Sequence, residues 1–343
     1  MMPCGIYSKD FELLNFGIDH PLQPSRFIRE RIYFKTVFNL KILEPKQYPE
    51  DLLKKVHSEE YIKLVKKYDR RGFGALSPDT PVFPGIYKYA LACCWATLTA
   101  CDLVIKEKVV YQFAGGWHHA RRDSDGGFCV FNDAALALVY LKENGLKPAY
   151  VDIDAHAGDG VMYILYEEPI LKISIHQDPL TLYPGCGFID EWGRGEGLGY
   201  MINIPLPPYS GDEQLAQVFS EIVIPALKEY KPDVIILQAG VDGHRYDPLT
   251  ALEYSAWGYK SIAEKLKKLN VPIVLLSGGG YHLYVHVIHG VIFGILIDKL
   301  EKVWEDAIKI DPQPIAGREN VSKKVKELIR ELKETHPFIS TLS

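Results

Sequence analysis

Val151-Asp152-Ile153-Asp154-Ala155-His156-Ala157-Gly158-Asp159-Gly160 is the stretch on which the reading of this chain turns. The residues before it, Lys147-Pro148-Ala149-Tyr150-Val151, make a short apolar run after a helical pattern and read as a buried strand. Side chains alternate along an extended chain, so Asp152, Asp154 and His156 share a face for as long as the strand lasts. Asp159, flanked by Gly158 and Gly160, then requires a sharp turn. Carboxylates and an imidazole at alternate positions make a poor core, and strand ends facing loops are where open α/β sheets build their sites. On this stretch alone, a polar loop capping a helix through Asp159 is the plainer alternative.

The same strand-then-polar-loop pattern recurs along the chain. Val109 to Ala114 runs into Gly115-Gly116-Trp117-His118-His119, residues 171–176 into a loop with Tyr183, Val234 to Gln238 into Asp242, and Pro272 to Leu276 into Ser277-Gly278-Gly279-Gly280-Tyr281. A further strand is expected around Cys4 to Tyr7, and the segment GYMINIPLP after the glycine-rich stretch 184–199 reads as an edge strand. Between them lie helical patterns: one started by Ser25, one over Asp51 to Asp69, an apolar buried one over 86–105, and others over 132–144, Asp212 to Glu229, 251–269, Val285 to Leu300 and Ser322 to Glu334. Residues 70–84, with Asp79, read as a loop. Short buried strands alternating with helices predict a mainly parallel sheet covered on both faces, a three-layer α/β fold, here as one domain over 1–343.

Composition narrows the functional classes. A hydrophobic share of 47% and a charged share of 24% are ordinary for a globular chain. A formal net charge of −5 gives no electrostatic case for nucleic acid. The opening MMPCGIYSKDFELL lacks the basic start and apolar core of a signal peptide, and the apolar run Val287 to Ile297 is too short to span a bilayer. Six cysteines without paired spacing suit reduced thiols, so a cytoplasmic location without membrane partners is expected.

Each polar loop has a plain explanation if taken singly. Asp242 before Gly243 suits a turn, the triple glycine before Tyr281 suits a flexible loop, and adjacent histidines can be structural. In a parallel sheet, however, all these loops emerge on one side. Asp154, His156 and Asp242 would then offer two oxygens and one nitrogen to a metal, leaving a position open as catalytic zinc sites do. Such an ion lowers the pKa of a bound water to about 7 and polarises a carbonyl. His118 and His119 would form an acid–base pair oriented by Asp152 and Asp159. Tyr281 would donate to an oxyanion, a role typically worth about 3 kcal/mol. The chemistry expected is metal-assisted hydrolysis of an amide.

GGWHHA, GFCVFND, YVDIDAHAGDGV, ISIHQ, YPGCG, LQAGVD, DPL and SGGGYH, in that order, resemble the signatures of the histone deacetylase superfamily, which includes bacterial and archaeal deacetylase-like proteins, acetoin-utilisation proteins and acetylpolyamine amidohydrolases. The resemblance runs from the DHPLQPSR loop to the SGGGYH loop. It implies the arginase-like α/β fold, a single zinc (or ferrous iron) per chain, and cleavage of an N-acetyl amide to an amine and acetate. It makes Asp154, His156 and Asp242 the metal ligands, His119 with Asp159 the general base and acid, His118 with Asp152 the electrostatic partner, and Tyr281 the oxyanion donor. Phe128 and Tyr183, with Gly127, match the walls of an acyl-lysine tunnel, Asp79 a rim carboxylate holding substrate backbone, and Arg26 the lining of an acetate-release channel. The family's monovalent-cation site, suited to potassium, would use Asp152, Asp154, His156 and Ser174.

Three positions depart from that pattern: Ala157 replaces a second histidine, Tyr183 a more usual Phe, and Cys186 lies in the adjacent loop, as an inert thiol or a redox-sensitive one. Leu249 stands where polyamine-selective relatives can carry an acid, and the 70–84 loop is short, so the expected substrate is acetyl-lysine of a protein or peptide. An acetylated polyamine is the leading alternative. A binuclear manganese ureohydrolase of arginase type would need further aspartates near Ala155 and Gly243. The oligomeric state is not readable from the sequence.

Overall fold

Val234–Gln238 and Ile273–Leu276 are unbroken runs of mostly branched apolar residues, and every residue in both is buried. Side chains of this kind, each contributing roughly 1.5–3 kcal/mol when fully buried, hold the centre of a sheet with no solvent face. A computed structural model describes residues 3–342; Met1, Met2 and Ser343, at the ends of the expected domain, lie outside the described residues. The strands are β1 (Cys4–Ile6), β2 (Lys41–Leu43), β3 (Ala75–Ser77), β4 (Thr80–Pro81), β5 (Val109–Gln112), β6 (Pro148–Asp152), β7 (Leu171–Gln177), β8 (Met201–Leu206), β9 (Val234–Gln238) and β10 (Ile273–Leu276).

Eight of them form one sheet in the order β2-β1-β5-β10-β9-β6-β7-β8, and every neighbouring pair is parallel. Helices Ile86–Glu107 and Asp133–Glu143 pack on each other and on the strands, while Ser25–Phe38, Ala256–Lys267 and Val285–Leu296 form a second packed group. The fold is the expected three-layer α/β sandwich. Ile86–Glu107 is long and apolar enough to cross a membrane by length and composition, yet 72% of its apolar window is buried inside the fold.

Register places the chemistry. Gln112 pairs with Leu276, Leu276 with Gln238, Gln238 with Asp152, and Asp152 with Ser174. That row crosses five strands at one level, and the chain beyond each strand turns into a loop on the same side. The segment GYMINIPLP supplies β8, which lies at the end of the sheet as expected.

Several boundaries differ from the sequence reading. The pattern over Asp51 to Asp69 is two elements, a 3-10 turn at Glu50–Lys55 and a helix at Glu59–Arg71, because Ser58 caps a fresh start by accepting from Tyr61 N. The helix expected over 251–269 spans Ala256–Lys267, with Ser255 as its cap. The helix started by Ser25 begins there as expected and spans Ser25–Phe38. The run Asp212 to Glu229 contains a π turn at Phe219–Val223 between helices Asp212–Val218 and Ile224–Tyr230. Val285 to Leu300 stops at Leu296, and Glu301–Ile310 is a separate helix. The 70–84 loop contains the antiparallel pair β3–β4, whose turn carries Asp79.

Candidate active site

Asp154 and His156 follow β6, and Asp242 follows β9, its sheet neighbour. Their ligand atoms all lie within 4.8 Å of one another. His156 Nδ1 is 3.0 Å from Asp154 Oδ1 and 2.9 Å from Asp242 Oδ2. The other carboxylate oxygens are occupied by the protein. Asp154 Oδ2 accepts from Gln238 Nε2 at 3.0 Å and Gly279 N at 2.9 Å, and Asp242 Oδ1 accepts from Ala155 N at 2.7 Å. One oxygen of each acid is thereby turned toward the imidazole nitrogen.

Close approach of two loops makes this possible. A Cβ added to Gly279 would stand 2.5 Å from both Asp154 Oδ2 and Asp242 Oδ2, so no side chain fits there. Burial works against charge on His156, but Asp242 and Asp154 outweigh it and push the imidazole up to about 10. Two buried acids so placed call for a positive charge, and a metal ion liganded by the same three atoms supplies one. The donor set fits a metal.

Beside the trio stand two histidine–aspartate pairs. His118 Nδ1 is 2.8 Å from Asp152 Oδ2, and His119 Nδ1 is 2.6 Å from Asp159 Oδ1. Burial disfavours charge on His118, but Asp152 and Asp154 outweigh it and push the ring up to about 9. For His119, burial and the neighbouring His118 prevail over Asp159 and lower it to about 4. Asp152 also accepts from Tyr150 Oη at 2.7 Å and from Asp154 N at 3.1 Å. The double glycine is anchored separately: Asp133 accepts from Gly116 N at 3.1 Å and Trp117 N at 2.8 Å, while Asn132 caps the next helix.

His118, His119, Asp154, His156 and Tyr281 line one cavity of about 300 Å³, together with Arg26, Asp79, Gly127, Phe128, Tyr183 and Leu249. Asp152, Asp159 and Asp242 lie behind this surface, buried. Phe128 holds φ at 71°, an uncommon conformation for a bulky residue, and meets Tyr281 edge-on with centroids 5.9 Å apart. Gly127, at φ 49°, leaves room for His119, whose Cδ2 would be 2.2 Å from an added Cβ. Tyr183 stacks edge-on to His119 at 5.0 Å. Asp79 accepts from Gly127 N at 3.1 Å and from Ser77 Oγ at 2.6 Å. Arg26 Nη2 donates to Gly278 O at 2.5 Å. Ser174 Oγ is 2.8 Å from His176 Nδ1 and opposite Asp152 in register. The residues expected to hold metal, move protons or line the tunnel thus gather in this cavity or directly behind its wall.

The Cys186 thiol is pushed up to about 11 by burial and by the charge of Asp159, which favours the inert reading of that residue over the redox one. Gln238, Asp133 and Asp247 lie within the quoted motifs but have no role assigned from the sequence. Asp247 accepts from Tyr281 N at 2.7 Å and from Leu249 N at 3.0 Å, tying those two cavity residues together. Polarity at the end of, or just beyond, an apolar run is the available signal for Gln238 and Asp133; Asp247, after Gly243-His244-Arg245-Tyr246, carries no such signal.

A profile of the histone deacetylase domain matches residues 20–289. The acetoin utilization protein AcuC of Bacillus subtilis is 33% identical over 299 residues, 81% of this chain and 77% of that one. A probable deacetylase of Archaeoglobus fulgidus is 36% identical over 281 residues, covering 79% and 75%. Histone deacetylase 8 of Xenopus tropicalis is 30% identical over 255 residues, covering 71% and 69%. The crystal structure of the HDA15 HD domain superposes with a TM-score of 0.85 over 98% of this chain and 96% of that one at 23% identity, a likeness of fold.

Proposed function

The chain belongs to the histone deacetylase family, and from that premise we propose that it is a zinc-dependent hydrolase that removes the acetyl group from N-acetyl-lysine in a protein or peptide. The observation that carries this reading is the convergence of Asp154, His156 and Asp242 beside the His118–His119 pair, in the cavity that Tyr281 also lines.

In this proposal Asp154, His156 and Asp242 hold the zinc, which supplies Lewis acidity to the amide carbonyl and to a water molecule. His119, held by Asp159, takes a proton from the water and returns it to the leaving amine. His118, held by Asp152, keeps a positive charge beside the reacting carbonyl. Tyr281 donates a hydrogen bond from its phenol to the developing oxyanion, and the backbone bond from Tyr281 N to Asp247 keeps that residue in place. Phe128 and Tyr183 flank the lysine stem, and Asp79 takes substrate backbone N–H at the rim. A potassium ion near Asp152, Asp154, His156 and Ser174 belongs to the same proposal.

The apolar Leu249, partly exposed at the cavity, supports acetyl-lysine over a substrate with a second ammonium. Among the described residues a single group of three side chains, Asp154, His156 and Asp242, is placed to share a metal ion, which favours one metal over the binuclear manganese site of an arginase. A single catalytic domain, supported by one continuous core, and a cytoplasmic location, supported by the free thiols, complete the reading. Steady-state rates on acetyl-lysine peptides, acetylspermidine and acetylcadaverine, with zinc-loaded protein, test it. Higher kcat/KM on the peptides is expected; preference for the free amines overturns the choice of substrate.

A further inference from the structure

The two histidine–aspartate pairs are alike in the bond to the ring and unlike behind it. Asp152 takes only neutral donors on its remaining positions, the Tyr150 phenol and the Asp154 amide. Asp159 is different. Its Oδ1 faces His119 Nδ1, while its Oδ2 accepts from Arg121 Nε at 2.9 Å and lies in ion-pair contact with Arg121 Nη2 at 2.7 Å. The carboxylate side chain is 2% exposed and the guanidinium 47% exposed, so the charge that meets Asp159 comes in from the surface.

Arg121 is itself well placed. Its backbone N donates to Ser124 O at 2.8 Å, its backbone O is 2.9 Å from His57 Nδ1, and its guanidinium lies over the Tyr163 ring, 4.8 Å from the centroid. The planar fork gives two N–H groups in fixed directions, which an ammonium does not. A buried carboxylate with only an imidazole for company is free to swing its two oxygens about Cβ–Cγ. One hydrogen bond and one ion-pair contact onto Oδ2 restrict that freedom.

We infer that Arg121 is a positioning residue for His119: by fixing one oxygen of Asp159 it turns the other onto His119 Nδ1 and leaves Nε2 as the nitrogen presented to the cavity. This inference rests on the deacetylase reading for its kinetic consequence and on geometry alone for its structural one. Arg121 is neither one of the proposed metal ligands nor one of the residues lining the cavity.

The experiment uses the zinc-loaded full chain, with Arg121→Met, Arg121→Lys, Arg121→Ala, Asp159→Asn and the Arg121→Met/Asp159→Asn pair. Arg121→Met is expected to lower kcat on an acetyl-lysine peptide roughly 10- to 100-fold, the range for losing a group that orients a site imidazole, with KM and zinc content unchanged. Arg121→Lys should recover part of the loss, millimolar guanidinium should rescue Arg121→Ala saturably, and Arg121→Met should cost nothing further beside Asp159→Asn. Wild-type kcat in Arg121→Met, a loss confined to KM, or a full additional loss beside Asp159→Asn overturns the inference. A readout independent of turnover is the downfield Nδ1–H proton resonance of His119, assigned by its absence in His119→Asn. It should move or broaden in Arg121→Met, and an unchanged resonance overturns the inference even if the wild type hydrolyses nothing. Absent wild-type turnover with a shifted resonance would instead tell against the deacetylase reading alone.

Discussion

The Nε2 atoms of His118 and His119 stand 3.1 Å apart, each ring carrying its own aspartate on Nδ1. At that separation the two rings do not both hold a proton on the facing nitrogen, because like charges so close in a buried site repel strongly. One ring then stays charged while the other accepts. The burial and Asp partners described above give the charge to His118 and the accepting role to His119. His119→Ala is therefore expected to lower kcat by about 10²- to 10⁴-fold, the range for a general acid–base group, with zinc content at the wild-type value. Stopped peptide assays alongside elemental analysis check both numbers; full activity would refute the assigned role.

Tyr281→Phe removes one hydroxyl and keeps the ring that meets Phe128. If the phenol donates to the oxyanion, kcat should drop roughly 10²- to 10³-fold, as for loss of one such donor, while KM stays close to the wild type. A change in KM alone would show that Tyr281 holds substrate rather than stabilising the reaction.

The trio predicts a link between metal and stability. Zinc at about 100 times its Kd adds about 2.7 kcal/mol to the folded state by mass action. Chelation should lower Tm and zinc should restore it. Asp242→Ala, which takes away one ligand and leaves Ala155 N without its acceptor, should show a low Tm that zinc no longer raises. An equal zinc response in wild type and Asp242→Ala would remove Asp242 from the ligand set.

His57 predicts a pH effect on stability at a distance from the trio. The ring is fully buried, Nδ1 lies 2.9 Å from Arg121 O, and Nε2 accepts from Asn132 N at 2.9 Å, so it fits only as the neutral tautomer with the proton on Nδ1. Burial lowers it from 6.5 to about 4. A folded-state value below the unfolded one means that the stabilisation is complete above pH 6.5 and is lost as pH falls through about 4. At 1.36 kcal/mol per unit the contribution is about 3 kcal/mol. Urea unfolding at pH 7.5, 5.5 and 4.5 should show the gap between wild type and His57→Gln narrowing with acid; parallel curves would show that His57 does not titrate in this range.

The sheet was legible because β6, β9 and β10 are buried apolar runs ending at or followed at once by polar residues, and a parallel sheet sends all such loops to one side. What escaped notice has physical reasons. β2, β3 and β4 are two or three residues long, too short for a period to show. The helix break after Leu296 depends on Asp298 at φ 59°, while the apolar spacing runs on to Leu300. Gln238 reads as an ordinary strand end until its bond to Asp154, 84 positions away, is seen, and Arg121 reads as one more surface charge until it meets Asp159 across 38 positions. Individual loops carry the residue types of a site; only the fold supplies the partners that orient them.

The most direct test is a zinc titration of metal-free protein, following acetate release from an acetyl-lysine peptide as a function of zinc per chain. Release should rise linearly and level off at one equivalent, with one free lysine amine for each acetate. A protein that binds one zinc through Asp154, His156 and Asp242 yet releases no acetate from any acetylated amine, or that needs two equivalents for activity, would contradict the proposed hydrolase.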